Sequence, residues 1–256
     1  MGINLAPPPK GHVFQLLMKS ILYSKASLKR IEERDRGEGT LRDGYTTSQI
    51  PQHTTACWEH GKPDIGLRSS LDFLLGHHCL MRLGNRLGAE LPDCFMLDVP
   101  TEGSKPDGQV SHDRDYTTKA FVILMDQGKT NTHGRMEYGG AFRNKDAQRC
   151  VVSALAFFLF YRWQVEGKEK TPNFGSSSHW YSTKIIRRSA DQSSQSLSDN
   201  TAREQTKRMY IKCGIKATAV THLPRQTAVK HAANLLVSDP DVRYPGPLPV
   251  PWECYY

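Results

Sequence analysis

Four side chains in this 256-residue sequence have the chemistry of a phosphodiester-binding site: Arg82, Lys129, His222 and Arg225. A planar guanidinium group holds two non-bridging phosphate oxygens in a fixed fork. A lysine and an imidazole can donate and accept protons at the ester oxygens. No well-placed nucleophile follows Arg225. The residue types therefore predict a clamp on a phosphodiester, and strand cleavage is a separate question.

The basic signature Thr221–Arg225 is the most specific of these features. Pro224 fits the first turn of a helix, which we expect to continue to about Val237. The spacing of His222 and Arg225 places both side chains on one side of that first turn. Because the first main-chain N–H groups of a helix have no partners within it, they attract anions. The signature therefore predicts an anion site at a helix start.

Arg82 and Lys129 each admit a second interpretation. Arg82 lies in an apolar helical stretch one turn before Arg86, so it either points into a polar cavity or caps carbonyl groups at a helix end. Lys129 lies at the tip of a predicted hairpin, where a lysine is commonly only solvated. The Gly128–Thr130 triplet is not a nucleotide-binding loop, because Ile123 replaces the required glycine and no helix follows.

The charge of the chain favours a polyanionic partner. The formal net charge is +8 and the pI is about 9.2, which makes a nucleic acid a reasonable partner without fixing the fold. A helix predicted to begin at Asp199 or Asn200 and to run through Lys212, with Gly214 as its stop, carries Lys207 and Arg208. These cations either extend the positive surface or form an ordinary solvated face.

Other classes of site and location are disfavoured. Six scattered cysteines without a Cys-x-x-Cys pair indicate reduced thiols inside a cell. The run His77–Cys79, with Cys57 and His60 upstream, has metal-ligand residue types, but adjacent residues rarely point at one ion. We therefore expect no metal and no cofactor. The longest apolar run, Val151–Tyr161, is too short to span a bilayer, so we expect no membrane association.

Three segments differ in composition along the chain. We expect residues 1–36 to form a basic amphipathic arm, residues 37–239 the main domain, and residues 240–256 an irregular proline-rich tail. The arm either contacts DNA or packs as a helix on a partner or on the main domain. It is therefore a candidate surface for a homodimer or a protein partner.

The main domain reads as mainly α-helical with a small β-hairpin. We expect a buried helix from Ile65 to about Gly84 and a short helix from Arg86 to Leu91. The predicted hairpin pairs a strand at Lys119–Met125 with one at Arg135–Tyr138. Cys150–Trp163 is apolar on nearly every face, which is typical of a helix at the centre of a core, and Asp146 is its expected cap. We expect an exposed loop from Pro100 to Asp115.

Several ordered motifs resemble the DNA-binding domain of the fungal centromere-binding kinetochore protein, a family related to Crypton-type tyrosine recombinases. The likeness extends from about Arg34 to Asp239. The motifs that carry it are Gly39–Tyr45, Leu71–His77, Asp126–Gly140, Arg143–Asp146, Ala154–Trp163 and Thr221–Arg225.

The resemblance implies a tyrosine-recombinase-like catalytic domain, truncated at its C-terminus, that binds double-stranded DNA in the nucleus. Arg82 would be the first clamp arginine, Lys129 the hairpin lysine that protonates the leaving hydroxyl, His222 an acid or base, and Arg225 the second clamp arginine. The remaining predicted DNA contacts are Arg86, Arg135, Lys207 and Arg208.

The tail departs from the pattern of an active recombinase. There, another ring donor and then a tyrosine nucleophile follow on helices, whereas here Trp252 and Tyr255 follow closely spaced prolines, and Gln226 replaces a common histidine. Tyr255 is at best a nominal nucleophile. We therefore favour DNA binding without strand cleavage. The alternatives are a recombinase or transposase of a mobile element that forms a phosphotyrosine, and a protein that docks acidic partners.

Overall fold

The computed structural model describes residues 16–21, 23–24, 27, 42–100, 103–104, 110–111, 117–125 and 136–235. The chain divides into two compact units, Met1–Asp43 and Gly44–Tyr256. The described residues of the first unit up to position 27 are helical and exposed. The predicted boundary at residue 36 is not tested by this division. All elements numbered below belong to the second unit.

Helices dominate this second unit. Their bounds are α1 Gln49–Trp58, α2 Pro63–His78, α3 Leu83–Gly88, α4 Val151–Phe160, α5 Asp199–Lys212 and α6 Leu223–Asn234. Short 3-10 turns occur at Leu91–Asp93 and Ser177–His179, and a π-helical turn at Tyr161–Val165 extends α4. Among the described residues, no helix is both long and apolar enough to cross a membrane.

A small antiparallel sheet covers one end of α2. Its strands are β1 Cys94–Pro100, β4 Thr117–Met125 and β5 Glu137–Phe142, in the order β1-β4-β5. A separate ladder pairs β2 Gly103–Ser104 with β3 Val110–Ser111 inside the predicted loop. The predicted strand at 119–125 is confirmed, whereas β1 was not predicted. Strand β1 lies at the sheet edge, and Phe95, Met96 and Leu97 are each between 41% and 48% exposed.

The centre of the core is α2, not α4. Twelve residues of α2 are buried, among them Leu71, Phe73, Leu74 and Leu75. In α4 the buried positions are Val151, Ala154 and Phe158, while Phe157 and Phe160 are 44% and 61% exposed. The prediction that α4 lies at the centre of the core was therefore wrong, because an apolar sequence does not by itself require burial on every side.

The cap of α4 also differs from the prediction. Cys150 is the N-cap residue, and its sulfur accepts a hydrogen bond from the main-chain N–H of Ser153 at 3.4 Å. Asp146 instead accepts from the N–H of Gln148 at 2.9 Å, within the preceding turn. A buried thiol therefore caps α4, where the sequence predicted a carboxylate.

The helical conformation is interrupted between α2 and α3, where the sequence predicted one continuous helix to about Gly84. Helix α2 ends at His78, and Leu80 adopts a left-handed conformation with φ of 51°. This conformation costs roughly 1–2 kcal/mol for a residue with a Cβ atom. The break allows α3 to begin at Leu83, so Arg82 lies at a helix start rather than inside a helix.

A buried ion cluster holds the segment after α4 to the start of α2. Arg162 and Arg187 are both 0% exposed. Glu169 accepts from Arg162 at 2.6 and 2.9 Å and also accepts from Arg187. Arg187 pairs in addition with Glu166 and, at 3.4 Å, with Asp64. Each buried guanidinium therefore has carboxylate partners, which burial of a charge requires.

Helices α5 and α6 follow their sequence signals closely. Ser198 caps α5 in place of the predicted Asp199 or Asn200, and its hydroxyl accepts from the N–H of Thr201 at 3.2 Å. Gly214 follows α5 with φ of 65°, as its predicted role as a stop requires. Pro224 lies in the first turn of α6. The predicted helix with Pro224 in its first turn is confirmed.

Candidate nucleic-acid interface

Arg82 occupies the N-cap position of α3 and is partly exposed. It follows the left-handed Leu80 and the buried Met81, which is 1% exposed. Its partial exposure shows that the side chain is not fully enclosed in the polar cavity that the sequence left open. The side chain starts from the turn between α2 and α3.

The Thr221–Arg225 signature forms the start of α6. His222 is the N-cap residue and is exposed, and Arg225 lies in the first turn, partly buried. Leu223 and Pro224 anchor this turn in the core, because both are buried. The main chain therefore holds both polar side chains at a helix start, where the positive end of the helix dipole favours an anion.

The segments that carry Arg82 and Arg225 lie far apart in the sequence, and Arg86 joins them through hydrogen bonds to the carbonyls of Met81 and Thr221. Burial lowers the pKa of the Arg225 guanidinium, the positive charge of Arg82 lowers it further, and the carboxylate of Glu137 on β5 opposes both effects. Two like charges in this range repel each other unless an anion lies between or beside them. The pair is therefore a candidate anion clamp.

Arg86 has a different place from the one predicted. It is 1% exposed, and its guanidinium donates to Asp72 at 2.6 and 3.5 Å, to the carbonyl of Met81 at 2.7 Å and to that of Thr221 at 3.3 Å. These acceptors occupy the guanidinium inside the protein. The prediction of a direct DNA contact by Arg86 is therefore corrected to an internal role.

The basic residues of α5 form two rows rather than one. Lys207 and Arg208 are both exposed, whereas Thr206, Met209 and Tyr210 face the core. At 100° per residue, Lys207 projects to one flank of the helix and Arg208 to the other. Both cations are therefore solvated, and they lie on different flanks of α5.

Three predicted site residues lie outside the described part of the chain. They are Lys129 and Arg135 in the segment between β4 and β5, and Tyr255 in the tail. Their proposed roles stay predictions.

The sequence did not indicate the buried residues that form hydrogen bonds with α6. The Tyr45 hydroxyl lies 2.8 Å from Nδ1 of His77 and donates to the Pro224 carbonyl at 3.4 Å. Nε2 of His231, on α6, lies 3.0 Å from the Tyr45 carbonyl. Burial raises the pKa of Tyr45 and lowers that of His77. Tyr45 is the last residue of the first motif, Gly39–Tyr45, so the sequence marked this residue. Nothing in that motif indicated a contact with α6.

Among the described residues, no three His, Cys, Asp or Glu side chains are arranged to hold a metal ion. Five free cysteines are described, and burial raises the pKa of the Cys94 thiol to about 12 and that of Cys57 still further. These thiols are poor nucleophiles at neutral pH.

With this geometry in hand, the family can be assigned. Residues 1–244 match the family described as "Centromere DNA-binding protein complex CBF3 subunit, domain 2". The chain belongs to this family. The match covers α1–α6 and the three-stranded sheet, so the recognised resemblance and the candidate clamp lie in one family domain.

Two solved structures resemble this family member. The XerH site-specific recombinase bound to difH substrate, in a pre-cleavage complex, is 13% identical with a TM-score of 0.51 over 78% of this chain. Its post-cleavage complex with palindromic difH is 12% identical with a TM-score of 0.48 over 77% of this chain. The chain spans 45% of the length of these recombinase chains. A comparison with curated protein sequences found no significant match.

The likeness to the pre-cleavage complex establishes the fold of the family member described here. Its arrangement of helices around a small antiparallel sheet is that of a tyrosine-recombinase catalytic domain. The predicted fold class, mainly α-helical with a small sheet, is therefore confirmed.

Proposed function

We propose that this domain binds double-stranded DNA by clamping a backbone phosphate between Arg82 and Arg225. The observation that carries the proposal is that Arg86 donates to the carbonyls of Met81 at 2.7 Å and Thr221 at 3.3 Å, which brings the separate segments of Arg82 and Arg225 together. Two arginines can hold one phosphate through charge-assisted hydrogen bonds, and the anion relieves their mutual repulsion.

The start of α6 supports the same function. His222 is exposed at the N-cap, so its ring can donate a hydrogen bond to a neighbouring phosphate oxygen. The net charge of +8 adds long-range attraction to a polyanion. The family name describes a DNA-binding subunit, and the fold is one that recombinases use on DNA.

Fluorescence anisotropy with a labelled DNA duplex at several salt concentrations tests this function. We expect Arg82→Ala with Arg225→Ala to weaken binding about 100-fold, because each lost contact to a charged group costs about 1.5 kcal/mol. The magnitude of the slope of log affinity against log salt should fall by about one, because both arginines contact the same phosphate.

The charge-matched control is Lys168→Ala with Lys170→Ala. Both residues are exposed in the loop after α4, and their removal changes the net charge by the same amount. We expect less than a threefold loss of affinity in this control, as for charges that act only at long range. Absence of wild-type DNA binding at low salt would overturn the proposal.

We propose further that the domain binds DNA without cleaving it. Tyr45 is the tyrosine whose hydroxyl contacts the first turn of α6, but it is 6% exposed and its pKa is raised by burial. A nucleophile needs the opposite environment. Tyr255 and Tyr256 lie outside the described residues.

The recombinase fold and the ordered Arg82, His222 and Arg225 keep strand transfer as a second candidate. A nicked duplex that traps a phosphotyrosine adduct distinguishes the two functions. No adduct under conditions where the duplex is fully bound supports binding alone. An adduct that disappears in Tyr255→Phe or Tyr256→Phe supports a recombinase or transposase.

We place this activity at chromosomal DNA in the nucleus. The family name refers to a centromere DNA-binding complex, and a phosphate clamp serves such a complex by fixing the register of the protein on the duplex. Fluorescence microscopy of the tagged chain tests this location, and an exclusively cytoplasmic signal would contradict it.

A further inference from the structure

Arg86 joins the two segments that carry the clamp. Its Nη1 donates to the Met81 carbonyl at 2.7 Å, directly before Arg82, and its Nη2 donates to the Thr221 carbonyl at 3.3 Å, directly before His222. One side chain thus holds the main chain at the start of α3 and at the start of α6.

Asp72 on α2 fixes the position of this guanidinium. Its carboxylate accepts from Nε of Arg86 at 2.6 Å and from Nη2 at 3.5 Å, and both side chains are buried. The paired carboxylate neutralises the buried charge, so Arg86 acts by geometry and not by attracting a phosphate. The planar fork of arginine is needed to reach both carbonyls at once.

The surroundings leave Arg86 little freedom. A Cβ atom on Gly76 of α2 would lie 2.9 Å from Nη1 of Arg86 and 3.0 Å from Cβ of Pro224. Helix α2 therefore approaches both the guanidinium and the first turn of α6 closely, which only glycine allows. The left-handed Leu80 shows that the chain before Arg82 is held in an unfavourable conformation by its neighbours.

We propose that Arg86 is a positioning residue that sets the relative placement of Arg82 and Arg225 for one phosphate. This inference rests on the proposed phosphate clamp. The sequence predicted a direct DNA contact for all three arginines. In this proposal Arg82 and Arg225 contact DNA, and Arg86 orients them from the interior of the protein.

Arg162 offers a matched control for the structural cost of losing a buried arginine. It is 0% exposed, pairs with Glu169 through two hydrogen bonds and donates to the carbonyls of Lys184 and Ile185 at 2.9 and 3.1 Å. The pattern of one carboxylate and two carbonyls is the same as that of Arg86. Its carbonyl partners, however, adjoin neither clamp arginine.

The experiment compares Arg86→Lys with Arg162→Lys in the full chain. Both variants keep the charge but lose the fork, so we expect both to melt at a lower temperature. Measured at a temperature where both are folded, Arg86→Lys should bind duplex DNA about 10-fold more weakly with a salt slope lower by about one. Arg162→Lys should bind as the wild type does. Equal affinity of the two variants would overturn the inference.

A second readout does not require DNA. Spin labels attached by a cysteine-independent chemistry at the exposed positions 84 and 226 report the distance between α3 and α6. We expect a broader or shifted distance distribution in Arg86→Lys, and an unchanged distribution overturns the positioning role. If the wild type does not bind DNA but Arg86→Lys still changes the distance distribution, only the proposed function is contradicted.

Gly76→Ala replaces Arg86→Lys if the latter does not fold. Its added methyl group presses on Nη1 of Arg86 and on Pro224 while keeping every charge. Gly84→Ala is its control, because a Cβ atom there meets nothing within 4 Å. We expect about a 10-fold loss of DNA affinity in Gly76→Ala and wild-type affinity in Gly84→Ala. Equal affinities would overturn the inference.

Discussion

Burial lowers the pKa of Arg225, and the positive charge of Arg82 lowers it further. The two side chains start from the first residues of two different helices, α3 and α6. Their repulsion is an energetic cost in the free protein. The same repulsion becomes a source of affinity when an anion is bound.

Inorganic sulfate should therefore stabilise the free protein. At a sulfate concentration ten times its dissociation constant, mass action adds about 1.4 kcal/mol, or a rise of roughly 3–6 °C in the melting temperature. Differential scanning fluorimetry at constant ionic strength, with chloride as the comparison salt, measures the effect. Arg82→Ala with Arg225→Ala should remove it, and an equal rise in that variant would contradict the clamp.

The buried histidines should make the fold sensitive to mild acid. Burial lowers the pKa of His53 from its ordinary value of 6.5 to about 3, and His77 and His231 shift in the same direction. Below about pH 6.5 the unfolded chain binds a proton that folded His53 excludes, so stability falls as the pH falls. His53 alone should lower the free energy of unfolding by about 2 kcal/mol between pH 6.5 and pH 5.

His53→Phe tests this dependence. Phenylalanine can keep the stacking on Phe73, whose ring centroid lies 4.0 Å from that of His53. Urea unfolding at several pH values should show that the free energy of unfolding depends less steeply on pH in this variant, by about 1.1 kcal/mol per pH unit on average in this range. His179→Ala, which removes an exposed histidine, is the control. A slope unchanged by His53→Phe would show that His53 does not titrate on unfolding.

Glu169→Gln should destabilise the protein strongly. The carboxylate of Glu169 is shared by Arg162 and Arg187, both 0% exposed, and the substitution leaves these buried cations with one fewer negative partner. Breaking a buried ion pair on one side costs about 3–5 kcal/mol. Urea unfolding measures the loss. Glu204→Gln on the exposed side of α5 should change stability by about 0.5 kcal/mol or less.

The N-terminal arm is expected to mediate self-association or binding of a protein partner. Leu16, Leu17 and Ile21 in its described part are between 39% and 56% exposed, a cost in water that a second copy can remove. We expect Leu17→Asp to convert a dimer into a monomer in sedimentation experiments, with the duplex contact of each monomer retained. A wild-type chain that stays monomeric at micromolar concentration would contradict dimerisation.

Local signals explain which parts of the fold were predictable. The start of α6 follows from Pro224, and the end of α5 follows from Gly214, because proline and glycine each restrict the backbone in a specific way. Strand β1 and the break at Leu80 depend on contacts with distant segments. The apolar pattern continues through Leu80, and only the packing of Arg86 and Gly139 around this turn shows why the helix stops.

The sequence indicated the residue types of the candidate site, but not which residues lie at the surface and which lie inside. Arg82 and Arg225 are coupled, in keeping with the order of motifs along the chain. Arg86 has the same side chain as Arg82 and lies one helical turn away, yet it is internal because Asp72 faces it. Sequence spacing does not reveal such a pairing, since it forms between different helices.

The edge of β1 has a consequence for work with the purified protein. Phe95, Met96 and Leu97 are exposed on a strand that pairs with β4 on one side, in the described part of the sheet. An apolar edge of this kind is a template for strands of other chains, so concentrated samples are prone to aggregate. Met96→Lys places a charge on the outer strand and is a rational choice for improving solubility before crystallisation.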